Sequence, residues 1–565
     1  MLSLIIINPM KYILLLCLCI AISEIGNAQS ANAPLNQDYY DILNRFEIQD
    51  GKFSQQIHSS VKPYQRIKIA GFLDSLDVNN FNERDKFNFE YLANDNWEYL
   101  NNASPMSSKP FLTHFYRAKS DFYHVQTENF DLHINPVLNL SIGSESDQDI
   151  TTYQNTRGIE LRGMIGNKIG FYSYIGENQA AFPSYVREYI AKNEVIPGEG
   201  FWKAFKDNGV DYFTGRGYIS FNAIKEINVQ FGYDKLRIGR GYRSLLLSDY
   251  ANSYVFFKLS TNVWRLNYTN LFTKMTAETY GSATGSLGTG RFPSKFMSLH
   301  HLSLNITDHL NVGLFEAVVF GTPDENGVQH YEVGYLNPII FYRSMEHQNG
   351  SVDNALVGVD LNWIITKNYL LYGQLILDEF KLDQINTGWW ANKYGMQVGL
   401  KNTNVLGIKN LDLQLENNWA RPYTYGHSDI YTNYAHYNQP MAHPLGANFI
   451  EYIGILKYQP LKRLMLEAKY MDIHYGADHN GSNWGGDVML SYVDREQEYE
   501  NKLGQGISTD ISILGLRANY HLKHNLFLEV SQQIRTFDNE LGVNNKHSLT
   551  NIGLRWNAPA KSFDF

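Results

Sequence analysis

The stretch Leu516-Arg517-Ala518-Asn519-Tyr520-His521-Leu522, closed by Lys523-His524-Asn525, decides how this chain is read. Leu516, Ala518, Tyr520 and Leu522 alternate with Arg517, Asn519 and His521. A period of two puts one set on each face of an extended strand. The pattern recurs upstream. Phe130, Leu132 and Ile134 alternate with Asp131, His133 and Asn135, and Ile227, Val229, Phe231 and Tyr233 alternate with Asn228, Gln230, Gly232 and Asp234. A soluble sandwich produces the same alternation, so the connections have to discriminate.

They are sorted by length. Asn167-Lys168, Asp308-His309, Thr366-Lys367-Asn368 and Lys523-His524-Asn525 are tight polar turns. The strand pairs they join are separated by long Gly/Asn/Tyr-rich stretches at 275–298, 321–350, 379–394, 421–447 and 475–505. Short turns on one side and long loops on the other are the asymmetry of bacterial outer-membrane barrels, with the short side in the periplasm. In a compact soluble domain, so many long loops would count against the assignment. The last strand, with Ile552, Leu554 and Trp556 alternating against Asn551, Gly553 and Arg555, runs toward a terminal Phe565, the kind of aromatic end that barrel assembly reads. The candidate strands predict an all-β transmembrane antiparallel barrel of about 18 strands, because closure requires an even number.

Composition agrees. With 39 Tyr, 31 Phe, 9 Trp and 44 Gly in 565 residues, 44% apolar, the chain suits one lipid face and one wet face. The formal charge is −9 and no Lys/Arg block stands out, which argues against nucleic-acid binding. Lys11, the apolar run Tyr12–Ile22 and the small residues Gly26-Asn27-Ala28 predict a signal peptide over 1–28, with Met10 as an alternative start. Cys17 and Cys19, the two cysteines, fall inside it, so the mature chain is expected to lack thiol chemistry. Residues 29–125 read as a helical periplasmic or plug module ahead of a barrel over 126–565. Tyr39, Ile42, Leu43 and Phe46 follow helical spacing, as do Ile69, Phe72, Leu73 and Leu76. Asn80 with Glu83 reads as the cap of a third helix, and Lys109–Ala118 as a fourth.

One segment is distinctive: Gly239-Arg240-Gly241-Tyr242-Arg243-Ser244-Leu245-Leu246-Leu247-Ser248-Asp249-Tyr250-Ala251. It resembles the G-R-G-x-x-x-L-x-x-S-D-x-A segment of the Wzi capsule-assembly family. Tyr335-Leu336-Asn337-Pro338 with Arg343 and Glu346, and Leu371-Tyr372-Gly373-Gln374 with Asp378, resemble two further segments of that family. Within it, the N-terminal texture is most similar to RemB-type proteins associated with gliding motility. The resemblance implies a barrel of about 18 strands with a helical periplasmic module, acting as a surface lectin that retains capsular or secreted polysaccharide. Outer-membrane lipid, surface polysaccharide and gliding or surface-assembly proteins are the implied partners, with no cofactor and no enzymatic activity. The alternatives are a diffusion or uptake channel and, third, an outer-membrane hydrolase.

Arg240, Arg243 and Asp249 are the candidate ligand-binding residues, expected to face the lumen. A guanidinium on the lipid face costs about 2–4 kcal/mol at mid-depth. Glycines around Arg240 would let the backbone approach a partner, and Asp249 would pair with one of the arginines. Such an array holds an acidic sugar or, on the plainer reading, braces the barrel interior. Trp389, Trp390 and Tyr394 form one candidate glycan-contact cluster. Tyr423, Tyr425 and Tyr431, with Tyr434 and Tyr437, form another, with Asn392, Asp429, His436 and Asn438 available for sugar hydroxyls. Both lie in loops, whereas girdle aromatics alternate along strands. Asp472, His474, Asp478, His479 and Asp487 read as a hydrated loop, because no nucleophile or metal-ligand spacing accompanies them. Gly281–Gly290 resembles a phosphate loop in composition only, since it lacks the lysine and following helix.

Overall fold

The computed structural model describes residues 30–565, apart from 102–105, 109, 147–149, 280–291, 324–328, 340–341 and 343–352. The expected signal peptide, Gly281–Gly290, Arg343 and Glu346 therefore lie outside the described residues.

Eighteen antiparallel strands close into one barrel. They begin with β1 (Phe130–Glu145), β2 (Ile150–Ile165), β3 (Ile169–Ala181), β4 (Gly209–Ile224), β5 (Ile227–Asp234) and β6 (Tyr254–Val263). The wall continues through β7 (Leu266–Thr276), β8 (Ser294–Asn305), β9 (Leu310–Phe320), β10 (Asn354–Thr366), β11 (Tyr369–Glu379) and β12 (Lys393–Asn402). It ends with β13 (Leu411–Ala420), β14 (Phe449–Leu461), β15 (Leu464–Ala477), β16 (Ile507–Lys523), β17 (Leu526–Asn539) and β18 (Asn544–Trp556). Closure is made by β18 on β1, from Leu549 opposite Glu145 to Trp556 opposite Leu138.

The alternation is inverted relative to a soluble protein. Phe231 is 54% exposed and its neighbour Gln230 is 2%. Leu516 and Ile552 are each 50% exposed, whereas Asp131, His133, Asn135 and Asn519 are buried. Over these stretches apolar side chains lie outside and polar ones inside, which suits a lipid-facing wall, whereas Ile453, Met471, Ile473 and Ile513 are buried in an inner apolar cluster toward the long-loop end. Trp264, Trp363, Tyr369 and Tyr520 are exposed toward the short-turn end, where an interfacial girdle belongs. No helix among the described residues is long and apolar enough to cross a membrane.

The turns are as the sequence sorts them. Asn167, Asn368 and Asn525 adopt φ of 54°, 76° and 51°, which asparagine tolerates better than most residues, and so close tight hairpins. At the opposite end, the long connections 182–208, 235–253, 421–448 and 478–506 fold into and over the barrel.

Three helices precede the wall: α1 (Gln37–Asp50), α2 (Arg66–Asp74) and α3 (Glu83–Asp95). Their apolar stripes meet in one core of Tyr39, Tyr40, Leu43, Phe46, Ile69, Phe72, Leu73 and Leu92. The cap of α3 is Asn82, not Asn80: its carbonyl oxygen accepts from the Arg84 N–H at 2.9 Å and the Asp85 N–H at 3.0 Å. Asn80 instead ends the 3-10 turn Val78–Asn80 and donates to Asp77. The fourth helix expected over Lys109–Ala118 does not form. Leu112, Thr113 and Tyr116 have positive φ, which an α-helix cannot accommodate, and Phe111 bridges Phe115 instead.

This module docks on the short turns. Phe53 N–H donates to Asp308 O at 2.7 Å, Asn368 N–H donates to Ile48 O at 3.2 Å, and Tyr91 Oη donates to Asn525. The strand Tyr123–Gln126 then pairs with the start of β1, so wall pairing begins inside the stretch first read as module. From within the lumen, Asp38 of α1 accepts from Arg517 at 2.7 Å and from Arg555 at 2.6 Å. Burial raises its carboxyl, but these two guanidiniums outweigh that and hold it well below the usual carboxylate range.

The C-terminus departs from expectation. After Trp556 the chain turns inward. Lys561 pairs with Glu199 at 2.7 Å and Asp564 with Lys469 at 2.6 Å, while Arg535 donates to Phe565 O at 3.0 Å. Phe565 packs on Tyr189 rather than ending the lipid face of β18. The tail's charges find partners inside the barrel and its aromatics pack there as well, Phe563 on Phe182 and Phe565 on Tyr189.

Candidate functional site

Residues 235–253, between β5 and β6, fold into the lumen. Arg237-Ile238 pairs with Val61-Lys62 of the module in a two-residue ladder. Arg240 reaches Glu47 at 2.6 Å, Ser59 at 2.9 Å and Asn44 at 3.2 Å, all on the N-terminal module. Arg243 faces Glu451 of β14, and its backbone N–H donates to Glu416 of β13 at 2.9 Å. Both arginines are inside and both are committed to carboxylates of the fold. Asp249 does not pair with either of them. It accepts from Arg237 Nη1 at 2.8 Å, because the tight turn after Gly239 carries Arg240 toward the module and leaves Arg237 beside it.

The glycines permit close approach, to the barrel wall. Gly239 has φ of +115°, and a Cβ there would fall 2.2 Å from Gln374 Nε2. A Cβ on Gly241 would fall 2.7 Å from Glu416. The family-like segment at 371–374, with Asp378, is the surface that receives residues 239–251. Gln374 Oε1 accepts from Leu245 N–H at 2.7 Å, its amide donates to Ile238 O at 3.2 Å, and Tyr372 Oη donates to Glu416 at 2.7 Å. Asp378 accepts from Tyr425 N–H at 2.8 Å and pairs with Lys393 at 3.1 Å. Tyr335, of the family-like segment at 335–338, is buried against Phe320 and Tyr342 at the long-loop end of the wall.

The second aromatic cluster is mostly structural. Tyr425 and Tyr434 are fully buried, 5.9 Å apart with stacked rings, and donate to Leu245 O at 2.8 Å and Leu246 O at 2.7 Å. They clamp the inserted segment and present no ring face to a sugar. Tyr423 is also buried and donates to Asn483 O at 2.9 Å. Tyr431 is half-buried at the rim, where its N–H donates to Asp429.

The proposed hydroxyl partners are likewise occupied. Asn392 staples Lys381, and Asn438 joins Thr279 to Asn193. His436 accepts from Thr276 N–H at Nδ1, at 3.0 Å, and bonds Ser253 O through Nε2 at 3.0 Å. Burial, reinforced by Lys295 and Lys235, outweighs the bond to Ser253 O and lowers its imidazole to about 4.

The first aromatic cluster stays at the surface. Trp389 and Trp390 are half-buried in the loop before β12, whereas Tyr394, read as a loop residue, is half-buried on β12 itself. The Arg495 guanidinium lies 4.3 Å from the Trp390 ring centre, Tyr492 packs 4.8 Å from it, and Arg421 lies 5.5 Å over Tyr394. Half-buried aromatic planes bordered by two guanidiniums, of which Arg495 is paired with Glu498, suit the C–H face of a sugar. Of the residues read as a hydrated loop, Asp472 and His474 lie on β15, where His474 pairs with exposed Asp510, while Asp478 accepts from the Trp484 and Asp487 N–H groups as a turn former.

Sequence reading missed Glu47, Glu416, Glu451, Lys469 and Asp564, which bind the inserted segment. A signal was present for Glu416, which falls on a polar register with Gln414 and Asn418, whereas Glu451 stands alone among Phe449, Ile453 and Ile455. Two cavities of about 240 and 210 Å³ flank the tail residues Ala560–Asp564 inside the lumen.

The inverted wall and the self-filled lumen define an outer-membrane β-barrel occupied by its own chain. The chain belongs to the family described as capsule assembly protein Wzi, whose profile matches residues 154–551. Among solved structures it is similar to Wzi of Escherichia coli, described as an outer-membrane protein involved in group 1 capsule assembly and a carbohydrate-binding β-barrel. That likeness has TM-score 0.58 at 12% identity and covers 94% of this chain and 100% of the other. Pseudomonas aeruginosa OprD is more distant, with TM-score 0.42 and 10% identity over 75% of this chain and 94% of the other. No curated protein matches by sequence.

Proposed function

We propose that the protein is a surface lectin that retains capsular or secreted polysaccharide at the outer membrane, with its helical module in the periplasm and its long loops outside. Membership of the Wzi family carries this reading. The lumen, filled by the module, residues 235–253 and the C-terminal tail, favours a binding role over the diffusion channel that is the second reading. The Trp389–Trp390–Tyr394 surface, with Arg495 and Arg421, is the glycan-contact patch, and Tyr431 is a rim contact. Arg240, Arg243 and Asp249 act by holding the inserted segment beneath it. A role in gliding follows if the retained polymer is what the moving cell presses on its substratum.

The test is a Trp389→Ala, Trp390→Ala double variant in a strain lacking the native copy. Cell-bound polysaccharide should fall several-fold while heat-modifiability of the barrel on gels is unchanged. Retention equal to wild type would remove the patch from the reading. Retention unaffected by deletion of the whole protein would remove the lectin function, and spreading of the same deletion strain reports on gliding.

A further inference from the structure

Where the module meets the wall, two strands bring three metal-ligand side chains onto one inward face. His124 lies directly opposite His133 in the antiparallel pairing of Tyr123–Gln126 with β1, and Asp131 is two residues from His133 on the same face. The Asp131 carboxylate reaches His124 Nε2 at 2.7 Å and His133 Nε2 at 3.2 Å. One donor atom from each of the three lies within 4.8 Å of the others.

The surroundings are those of a metal centre. His133 Nδ1 lies 3.0 Å from Asp121 Oδ1 without a well-aligned hydrogen bond, so Asp121 stands where a carboxylate orients a ligating imidazole and raises its basicity. Asp121 is itself fixed by Trp97 Nε1 at 2.9 Å and by Arg162. Glu98 Oε1 pairs with Arg162 and lies 3.9 Å from His133 Nε2. Its other oxygen is buried without a hydrogen-bond partner among the described residues.

Charge points the same way. Asp121, Asp131 and Glu98 are three buried carboxylates with one guanidinium, Arg162, among them. The next cation, Arg66, is taken by Asp95 at 2.6 Å. With both histidines neutral, two negative charges would be left, which a divalent cation neutralises.

We propose that His124, Asp131 and His133 bind one first-row divalent transition-metal ion, with zinc the best match to two imidazoles and a carboxylate. Glu98 is placed to complete the shell. The ion would staple three parts of the chain: the module at Trp97–Glu98, the connecting strand at His124, and the first wall strand at Asp131 and His133. This site is independent of the glycan-contact patch, at the opposite end of the barrel.

The test uses the full-length protein in detergent, stripped with chelator, dialysed against zinc at neutral pH and assayed by elemental analysis and calorimetry. One zinc per chain is expected, with a rise in the temperature at which the barrel unfolds on gels. His124→Gln, which removes the most accessible ligand, should abolish both. Asp121→Asn should weaken binding by about 10–100-fold, the usual effect of removing an outer-shell partner. The His124→Gln barrel, folded and heat-modifiable, serves as the control for other zinc-binding histidines. No stoichiometric zinc in the wild type, or equal zinc in His124→Gln, overturns the proposal. Stabilisation at acid pH without zinc would do so as well, because it would assign charge neutralisation to protonated histidines.

Discussion

Arg243 and Glu451 form a two-point ion pair inside the barrel, with Nη2 3.0 Å and Nε 3.2 Å from the same carboxylate oxygen. The other oxygen accepts from His443 Nε2 at 2.7 Å and from Asn418 Nδ2 at 3.0 Å. One carboxylate thus joins the inserted segment to the wall and to the loop 421–448. Breaking a buried pair from one side leaves a charge without a partner, at about 3–5 kcal/mol. Arg243→Gln and Glu451→Gln should each lower the denaturant midpoint of the refolded barrel by a matching amount. Arg243→Met with Glu451→Leu should lose less than either single change, because no buried charge is stranded.

Gly239→Ala should be as damaging as a charge deletion, for a different reason. The residue needs φ of +115°, and its new methyl would meet Gln374 at 2.2 Å. Backbone strain of this kind costs about 1–3 kcal/mol before the clash is counted. The expected outcome is less heat-modifiable barrel in membranes. Gln374→Ala, which opens space but leaves the φ requirement, should restore only part of it.

Removing residues 557–565 should leave the 18-strand wall intact, since β18 ends at Trp556. It takes away Lys561, Asp564 and Phe565 and merges the two cavities beside them. Planar-bilayer recordings should then show a larger conductance than the full chain. An unchanged trace would mean that the module and residues 235–253 alone close the lumen.

The loop 421–448 should loosen in mild acid. His436 is held at about 4 in the folded protein, against roughly 6.5 for a free imidazole, so the folded state binds its proton later than the unfolded one does. Stability from this group is complete above about 6.5 and is lost as the pH falls toward 4. The shift corresponds to about 3 kcal/mol. Protonated Nδ1 can no longer accept from Thr276 N–H. Limited proteolysis should cut 421–448 faster at pH 4.5 than at pH 7, and His436→Gln should flatten that dependence.

Much of the fold was legible because barrel rules act locally. Alternation at Phe130–Asn135 and Leu516–Leu522 assigns faces, and Asn167, Asn368 and Asn525 mark tight turns by tolerating left-handed backbone. The third helix was legible but its cap was displaced from Asn80 to Asn82, since two asparagines two residues apart offer the same signal. The fourth helix failed because composition says nothing of the left-handed conformations at Leu112, Thr113 and Tyr116.

The candidate site divides along the same line. That Arg240 and Arg243 face inward follows from sequence alone, because guanidiniums at mid-depth in lipid are too costly. Which partner each would find did not, since Glu47 and Glu451 lie 193 and 208 residues away along the chain. Tyr425 and Tyr434 looked like sugar platforms in a Gly/Asn-rich loop. Only the inward fold of that loop made them clamps on Leu245 and Leu246. His124, Asp131 and His133 are unremarkable until strand pairing sets His124 opposite His133. Sequence by itself determined the wall: its period, its inverted faces and the sorting of its connections, because those depend on neighbours two residues apart. What fills the wall was decided by tertiary structure, because a lumen is closed by charges, and by apolar side chains such as Leu245, Leu246 and Leu247, that meet their partners only after the barrel has brought distant strands together.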